Sequence, residues 1–156
     1  MQFMRRICLL LGCLGCHAVA TASWQFFGYD NGNSAEYYDP AIDRKGATVV
    51  VRSFSQKTVQ DMVPVYDPKK PERYVLINFR AEQSSYEFNC KENTLQLVSR
   101  TFYRDIEGRS PIVTHLAKDK VIEEGNSEFA RQFRKGVVDA RSGKNARLRA
   151  LACDKP

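Results

Sequence analysis

Five cysteines divide this 156-residue chain in two: Cys8, Cys13 and Cys16 crowd into the first 22 residues, and only Cys90 and Cys153 follow. Which of them stay in the finished protein decides what can hold the fold together. The first segment, MQFMRRICLLLGCLGCHAVATA, has the parts of an export signal. Arg5 and Arg6 supply a positive start, Ile7 to Val19 an apolar stretch without acids, and Ala20-Thr21-Ala22 an A-x-A cleavage site. The same segment contains Cys13-Leu14-Gly15-Cys16-His17, the C-x-x-C-H spacing of covalent haem attachment. Haem there would need the signal to remain uncleaved, and about a dozen apolar residues are too few for a permanent span of roughly 20. A lipobox-like Leu10-Leu11-Gly12-Cys13 lies too close to Arg6 to leave a full apolar region. The expectation is a cleavable signal peptide over 1–22, with c-type haem through Cys13, Cys16 and His17 as the minor alternative.

Cleavage leaves a domain over 23–156 that keeps two cysteines, and an even pair in an exported chain argues for a disulfide between Cys90 and Cys153. Closing a loop of about 60 residues contributes roughly 4 kcal/mol in the chain-entropy model. Two buried free thiols are the competing arrangement. Zinc fits less well, because His115 is the only histidine left and no C-x-x-C pair remains. About 130 residues suffice for one domain with a real core. Removing Arg5 and Arg6 takes the net charge from +6 to +4, which permits anionic partners without naming one. After Ala22 no apolar run is long enough to span a membrane, so a soluble protein outside the inner membrane is expected.

Most of the domain reads as strands, in runs rich in Val, Phe, Tyr and Thr separated by turn residues. The runs are Trp24 to Tyr29, Thr48 to Ser55, Arg73 to Arg80, Ser85 to Cys90, Thr94 to Arg104 and Ile112 to Leu116. Asp30-Asn31-Gly32-Asn33 and Tyr38-Asp39-Pro40 supply turns. Val63 to Glu72, with Pro64, Pro68 and Pro71, reads as a surface loop because each proline removes a ladder donor. Ser85 to Arg104 forms a hairpin: Leu95, Leu97, Ser99, Thr101 and Tyr103 share one face, and Gln96, Val98, Arg100, Phe102 and Arg104 the other. From Ser127 the spacing turns helical, with Phe129, Phe133 and Val137 at four-residue steps, and Lys144 to Cys153 suits a second helix. Sheet first and helix last makes an α+β fold: an antiparallel sheet of about six strands with C-terminal helices packed on one face and tethered by the disulfide.

Each enzyme template lacks parts. His115 could serve as a base by type, but no G-x-S-x-G lies near it, and adjacent Glu123 and Glu124 point apart. There is no H-E-x-x-H and no P-loop, and Gly28, Gly32 and Gly46 do not make G-x-G-x-x-G. A non-enzymatic protein without a metal or other cofactor is expected. The surface signal is basic: Arg131, Arg134, Lys135, Arg141, Lys144, Arg147 and Arg149 share a stretch whose only acid is Asp139. Such a run suits an anionic polysaccharide or an acidic protein surface, or simply keeps a terminal helix solvated. Nucleic acid is not an expected ligand for an exported domain.

A set of landmarks gives the chain a likeness. Trp24 opens the domain, Tyr37-Tyr38-Asp39-Pro40 is followed by Ile42 and Arg44, and Val49-Val50-Val51 makes a strand. Tyr86-Glu87-Phe88-Asn89-Cys90 leads to Leu95 and Tyr103, and Ser127 opens the stretch that reaches Cys153. In these the chain resembles the bacterial surface-adhesin protein E family over nearly the whole domain. The resemblance implies an antiparallel sheet with a C-terminal helix held by a disulfide. It further implies a non-enzymatic, exported domain at the periplasm or outer surface of a Gram-negative cell, binding host matrix or plasma proteins, and a homodimer. The chain departs from the family at Arg52 and after Pro111, where tryptophans are expected. The alternative is a structural or accessory envelope protein that meets a partner through a sheet face holding Phe102 and Val98.

Overall fold

Val, Phe, Tyr and Ser alternate along the middle of the chain, and in the computed structural model these residues make one long antiparallel pair from which the sheet spreads both ways. The structure describes residues 23–30, 34–67, 69–138 and 143–154. The export segment with its haem and lipobox motifs, positions 31–33 of the first turn and Arg141 lie outside them. In chain order the elements are β1 (Gln25–Asp30), β2 (Ser34–Tyr38), β3 (Asp43–Lys45), β4 (Thr48–Asp67), β5 (Lys70–Asn89), β6 (Thr94–Tyr103) and β7 (Pro111–Leu116). Single-turn helices α1 (Lys120–Glu123) and α2 (Glu128–Arg131), strand β8 (Gly136–Val137) and helix α3 (Gly143–Cys153) follow. The sheet runs β1-β2-β4-β5-β6-β7, with β3 on the edge of β4 and β8 on the edge of β6. The described residues therefore give eight strands where about six were expected. The two short ones and β2 carry too few apolar residues to announce themselves.

Cross-strand partners share a face. Val49 stands opposite Phe88, Val51 opposite Tyr86, Tyr86 opposite Leu97, and Phe102 opposite Val113. This apolar floor is covered by Ile122, Phe129, Ala130 and Phe133 around α1 and α2, and by Leu148 and Ala152 of α3, both fully buried. α3 is fixed at both ends. At its start the Lys144 ammonium lies 2.8 Å from the Glu36 carboxylate, itself almost fully buried and bonded by the Ser55 hydroxyl. At its end Cys153 is bonded to Cys90, with Cα atoms 5.4 Å apart, and the Arg44 guanidinium donates to the carbonyls of Ala152 and Leu151. On the other face Trp24 stacks on Phe54 at 5.3 Å under the loop after β6. Gly108 there has φ +72°, and a Cβ at that position would lie 2.7 Å from the Phe54 ring, so both conformation and space call for glycine.

Three expectations are corrected. The supposed loop over Val63 to Glu72 is strand up to Asp67 and again from Lys70: beyond Gln56 and Ala81, β4 and β5 continue as a two-stranded ribbon with Val63 opposite Ile77, Pro64 opposite Leu76 and Tyr66 opposite Tyr74. Neither strand has a third partner over this stretch among the described residues. Proline is excluded from central strands but tolerated on an unpaired edge. Second, the β5–β6 hairpin forms, but Ser85 faces Ser99 while Tyr86 faces Leu97, so Val98 is an extra residue. That bulge reverses the alternation, and Leu97 and Phe102 are both core residues. The expected exposed face holding Phe102 does not exist. Third, the helix expected from Ser127 stops after one turn. Ser127 does cap α2, accepting the Ala130 amide, and Phe129 and Phe133 are buried, but Gly136 and Val137 pair with β6 as β8. Val137 is left 79% exposed.

Candidate functional site

The basic residues singled out in the sequence do not form one outward face. Lys144 is half-buried against Glu36. The Arg147 guanidinium sits 5.1 Å over the Phe27 ring, and Arg149 donates to Asn93 Oδ1 at 2.6 Å and lies 3.4 Å from Asp154. These three hold α3 in place, which corrects their reading as a solvated helix face. Arg131, Arg134 and Lys135 are exposed near α2. Of these, Arg134 donates to Gly125 O and Asn126 Oδ1, and Lys135 pairs with Glu92 at 2.7 Å.

A second group of charges is also inward. Glu82 on β5 lies 3.4 Å from Arg100 on β6, and Ser84 donates to it at 3.1 Å. Burial raises the Glu82 carboxyl pKa, but Arg100, Lys144 and the Ser84 bond outweigh it and hold the group below its ordinary range. For Lys144 burial works against the charged form, and Tyr86, Glu82 and Glu36 more than offset it, leaving the ammonium above its usual pKa. Both groups stay charged at neutral pH, and the cluster locks helix to sheet.

The residues that do converge on open space are at the closed end of the β4–β5 ribbon, next to the Asp67–Lys70 pair, where it meets β7 and α1. A cleft of about 750 Å³ is lined by Tyr66, Asp67, Pro71 and Tyr74 from the ribbon, Thr114 and His115 from β7, and Asp119, Lys120, Val121, Glu124 and Gly125 around α1. That volume is in the range of small-ligand and side-chain pockets. Local sequence explains its assembly. Asp119 ends β7 by accepting the Leu116 amide at 2.7 Å and starts α1 with its backbone carbonyl. Gly125 then turns the chain where any Cβ would meet Val121 O at 2.4 Å and the Tyr66 hydroxyl at 2.7 Å. Tyr66 is thereby pressed between Tyr74 at 4.5 Å, His115 at 6.4 Å and Phe129 at 6.0 Å, with its hydroxyl 3.0 Å from Ser127 Oγ.

His115 is only 4% exposed, and its Nε2 has no hydrogen-bond partner. Burial pushes its pKa down, against the weaker upward pull of Asp119, so the ring is neutral at pH 7. Burial also raises the Tyr66 phenol, which keeps its proton. The rim is acidic: Asp67, Asp119 and Glu124 stand against one cation, Lys120, which is 3.9 Å from Glu124. Of the cleft residues the sequence drew attention to His115 and Glu124 only, and as enzyme parts. Tyr66 and Pro71 fell in the supposed loop, where Pro71 counted only as a strand breaker, and Tyr74 fell in the expected strand Arg73 to Arg80 with nothing to set it apart. Among the described residues no three His, Cys, Asp or Glu side chains are grouped to hold a metal.

Fold and site together define a disulfide-stapled α+β domain with an acid-rimmed aromatic cleft at the closed end of a two-stranded ribbon. No protein-family model and no curated protein matches the chain. Among solved structures it is similar to crystal form II of Haemophilus influenzae protein E, with a TM-score of 0.42, 15% identity, and coverage of 74% of this chain and 77% of that chain. A second structure of Haemophilus influenzae protein E gives a TM-score of 0.39 and 16% identity, over 74% of this chain and 73% of that one. The relation is structural and distant.

Proposed function

We propose that the chain is a non-enzymatic, exported binding domain that holds a protein partner through the β4–β5 ribbon. The observation that carries this reading is the outward face of that ribbon. Met62 is 58% exposed, Leu76 66% and Tyr74 48%, with exposed Pro64 between them and Val59 at 68% in the adjoining bulge. In register Met62 stands beside Asn78 and Pro64 beside Leu76, and the exposed row ends at Tyr74, whose partner Tyr66 is buried. An apolar row of this kind on a strand pair with free edges suits a protein surface, which can cover the side chains and pair with the backbone.

The intact disulfide supports an oxidising compartment, and the reading takes the domain to the periplasm or outer surface of a Gram-negative cell. Of the partners inferred from sequence, a host matrix or plasma protein fits an apolar, strand-edged surface. An anionic polysaccharide fits less well, since Lys144, Arg147 and Arg149 are engaged within the fold. The accessory-protein alternative loses the exposed Phe102 on which it relied. Two double variants decide between surfaces in a binding assay on immobilised matrix and plasma proteins. Met62→Lys with Leu76→Lys should abolish binding, and Arg131→Glu with Arg134→Glu should leave it intact, both melting as the parent does. The reverse pattern would replace the ribbon with the basic face.

A further inference from the structure

We propose that the cleft at the closed end of the ribbon receives a cationic side chain, arginine in preference to lysine, from the protein partner docked on that ribbon. This rests on the ribbon being a protein-docking surface, and it supplies the specificity that an apolar row lacks.

Charge is the first argument. The chain carries a net +6, yet the cleft rim holds three carboxylates and one ammonium. Lys120 lies nearest Glu124 and offsets one of the three. Asp67 uses Oδ1 for the Lys69 amide and Asp119 uses Oδ2 for the Leu116 amide, which leaves each with an oxygen that has no described partner. A local field opposite in sign to the whole molecule selects a cation and repels an anion.

The walls narrow the choice of cation. Tyr74 leans on Tyr66 with ring centroids 4.5 Å apart and remains half exposed, a π surface over which a guanidinium or ammonium is attracted. Val121 and Pro71 line the same space and suit the methylene stem of a long basic side chain. The deepest polar feature is His115, neutral, 96% removed from solvent and with Nε2 unsatisfied. A buried nitrogen without a partner is a standing cost; with the ring proton on Nδ1, a small shift of the cleft wall lets an N–H donor or a carried water reach Nε2 and relieve it. Arginine brings several such donors in a plane that also stacks on tyrosine, whereas lysine brings a compact, strongly hydrated charge. Continuity decides the source: Tyr74 belongs both to the cleft and to the exposed row of the ribbon, so a partner lying on Leu76 and Met62 has a side chain positioned to enter.

The test uses the oxidised full domain and three probes followed by NMR shifts of the His115 and Tyr74 rings: acetyl-arginine amide, acetyl-glutamate amide and agmatine. Saturable shifts with the arginine probe, none with glutamate, and at least fivefold weaker binding in both Glu124→Gln and Tyr74→Ala are expected. Glu107→Gln, which alters an exposed acid outside the cleft, serves as the control and should change nothing. Both cleft changes fall on exposed side chains, and unchanged melting confirms the fold. Equal response to glutamate, or full affinity in Glu124→Gln, overturns the inference. Agmatine binding tenfold more tightly than the arginine probe also overturns it, in favour of a free organic cation. If partner binding depends on Met62 and Leu76 but ignores Glu124 and Tyr74, the cleft inference alone fails. If arginine binds the cleft while the ribbon variants bind partner normally, the docking reading fails instead.

Discussion

Single buried polar residues set much of the sensitivity of this molecule to its surroundings. His115 is neutral in the fold, with a pKa below the usual 6.5 because the core around Phe129 and Tyr66 disfavours the imidazolium. The unfolded chain binds a proton near pH 6.5 and the folded chain only at lower pH, so between the two the unfolded state carries more protons. Stability from this residue is therefore complete above about pH 6.5 and declines as pH falls toward the folded value. Urea unfolding of His115→Gln and parent from pH 8 to 5 should show the parent losing more stability than the variant over that interval. The Glu36–Lys144 pair gives a second prediction. Lys144→Met strands a carboxylate that is 2% exposed and should cost about 3 kcal/mol, whereas adding Glu36→Leu should recover most of it.

Elements show where sequence patterns were sufficient. The strands around Phe88, Leu97 and Val113, the Ser127 cap and the helix ending at Cys153 were legible, because each expresses local chemistry: β-branched and aromatic runs, a capping hydroxyl, periodic Leu and Ala. The ribbon was not, because a rule that is sound for central strands was applied to Pro64 in a strand that turned out to have a free edge. Nor was the face of Phe102, since one extra residue at Val98 reverses every side chain beyond it. The cleft inherits the first difficulty, since Tyr66, Asp67 and Pro71 of its wall come from the misread stretch. The tethered helix carries its own prediction. Cys153→Ser should lower stability by roughly 4 kcal/mol and the melting temperature by about 10 °C, read by calorimetry in oxidising buffer. Added reductant should lower the parent to the same point and leave the variant unchanged. Leu148→Ala, at a site with no exposure, should cost about 3 kcal/mol by cavity formation even with the disulfide intact.

Over the whole molecule, first and last elements meet: Arg147 of α3 lies on Phe27 of β1, and Lys144 reaches Glu36 of β2. The C-terminus nevertheless connects mechanically to the middle of the chain. Cys153 is bonded 63 positions back, to a residue that directly follows β5. A pull on the two ends thus bypasses everything from Lys91 to Ala152 and loads the long β5 strand along its axis against β4. Stretched singly, the oxidised domain should lengthen by about 220 Å less than the reduced one, at no more than ~3.6 Å per residue hidden behind the sulfurs. More than a third of the chain is in effect removed from the tensile path, so a domain anchored at one end and gripped at the other keeps α3, the β7 and α1 side of its cleft and strands β6 to β8 shielded from the load.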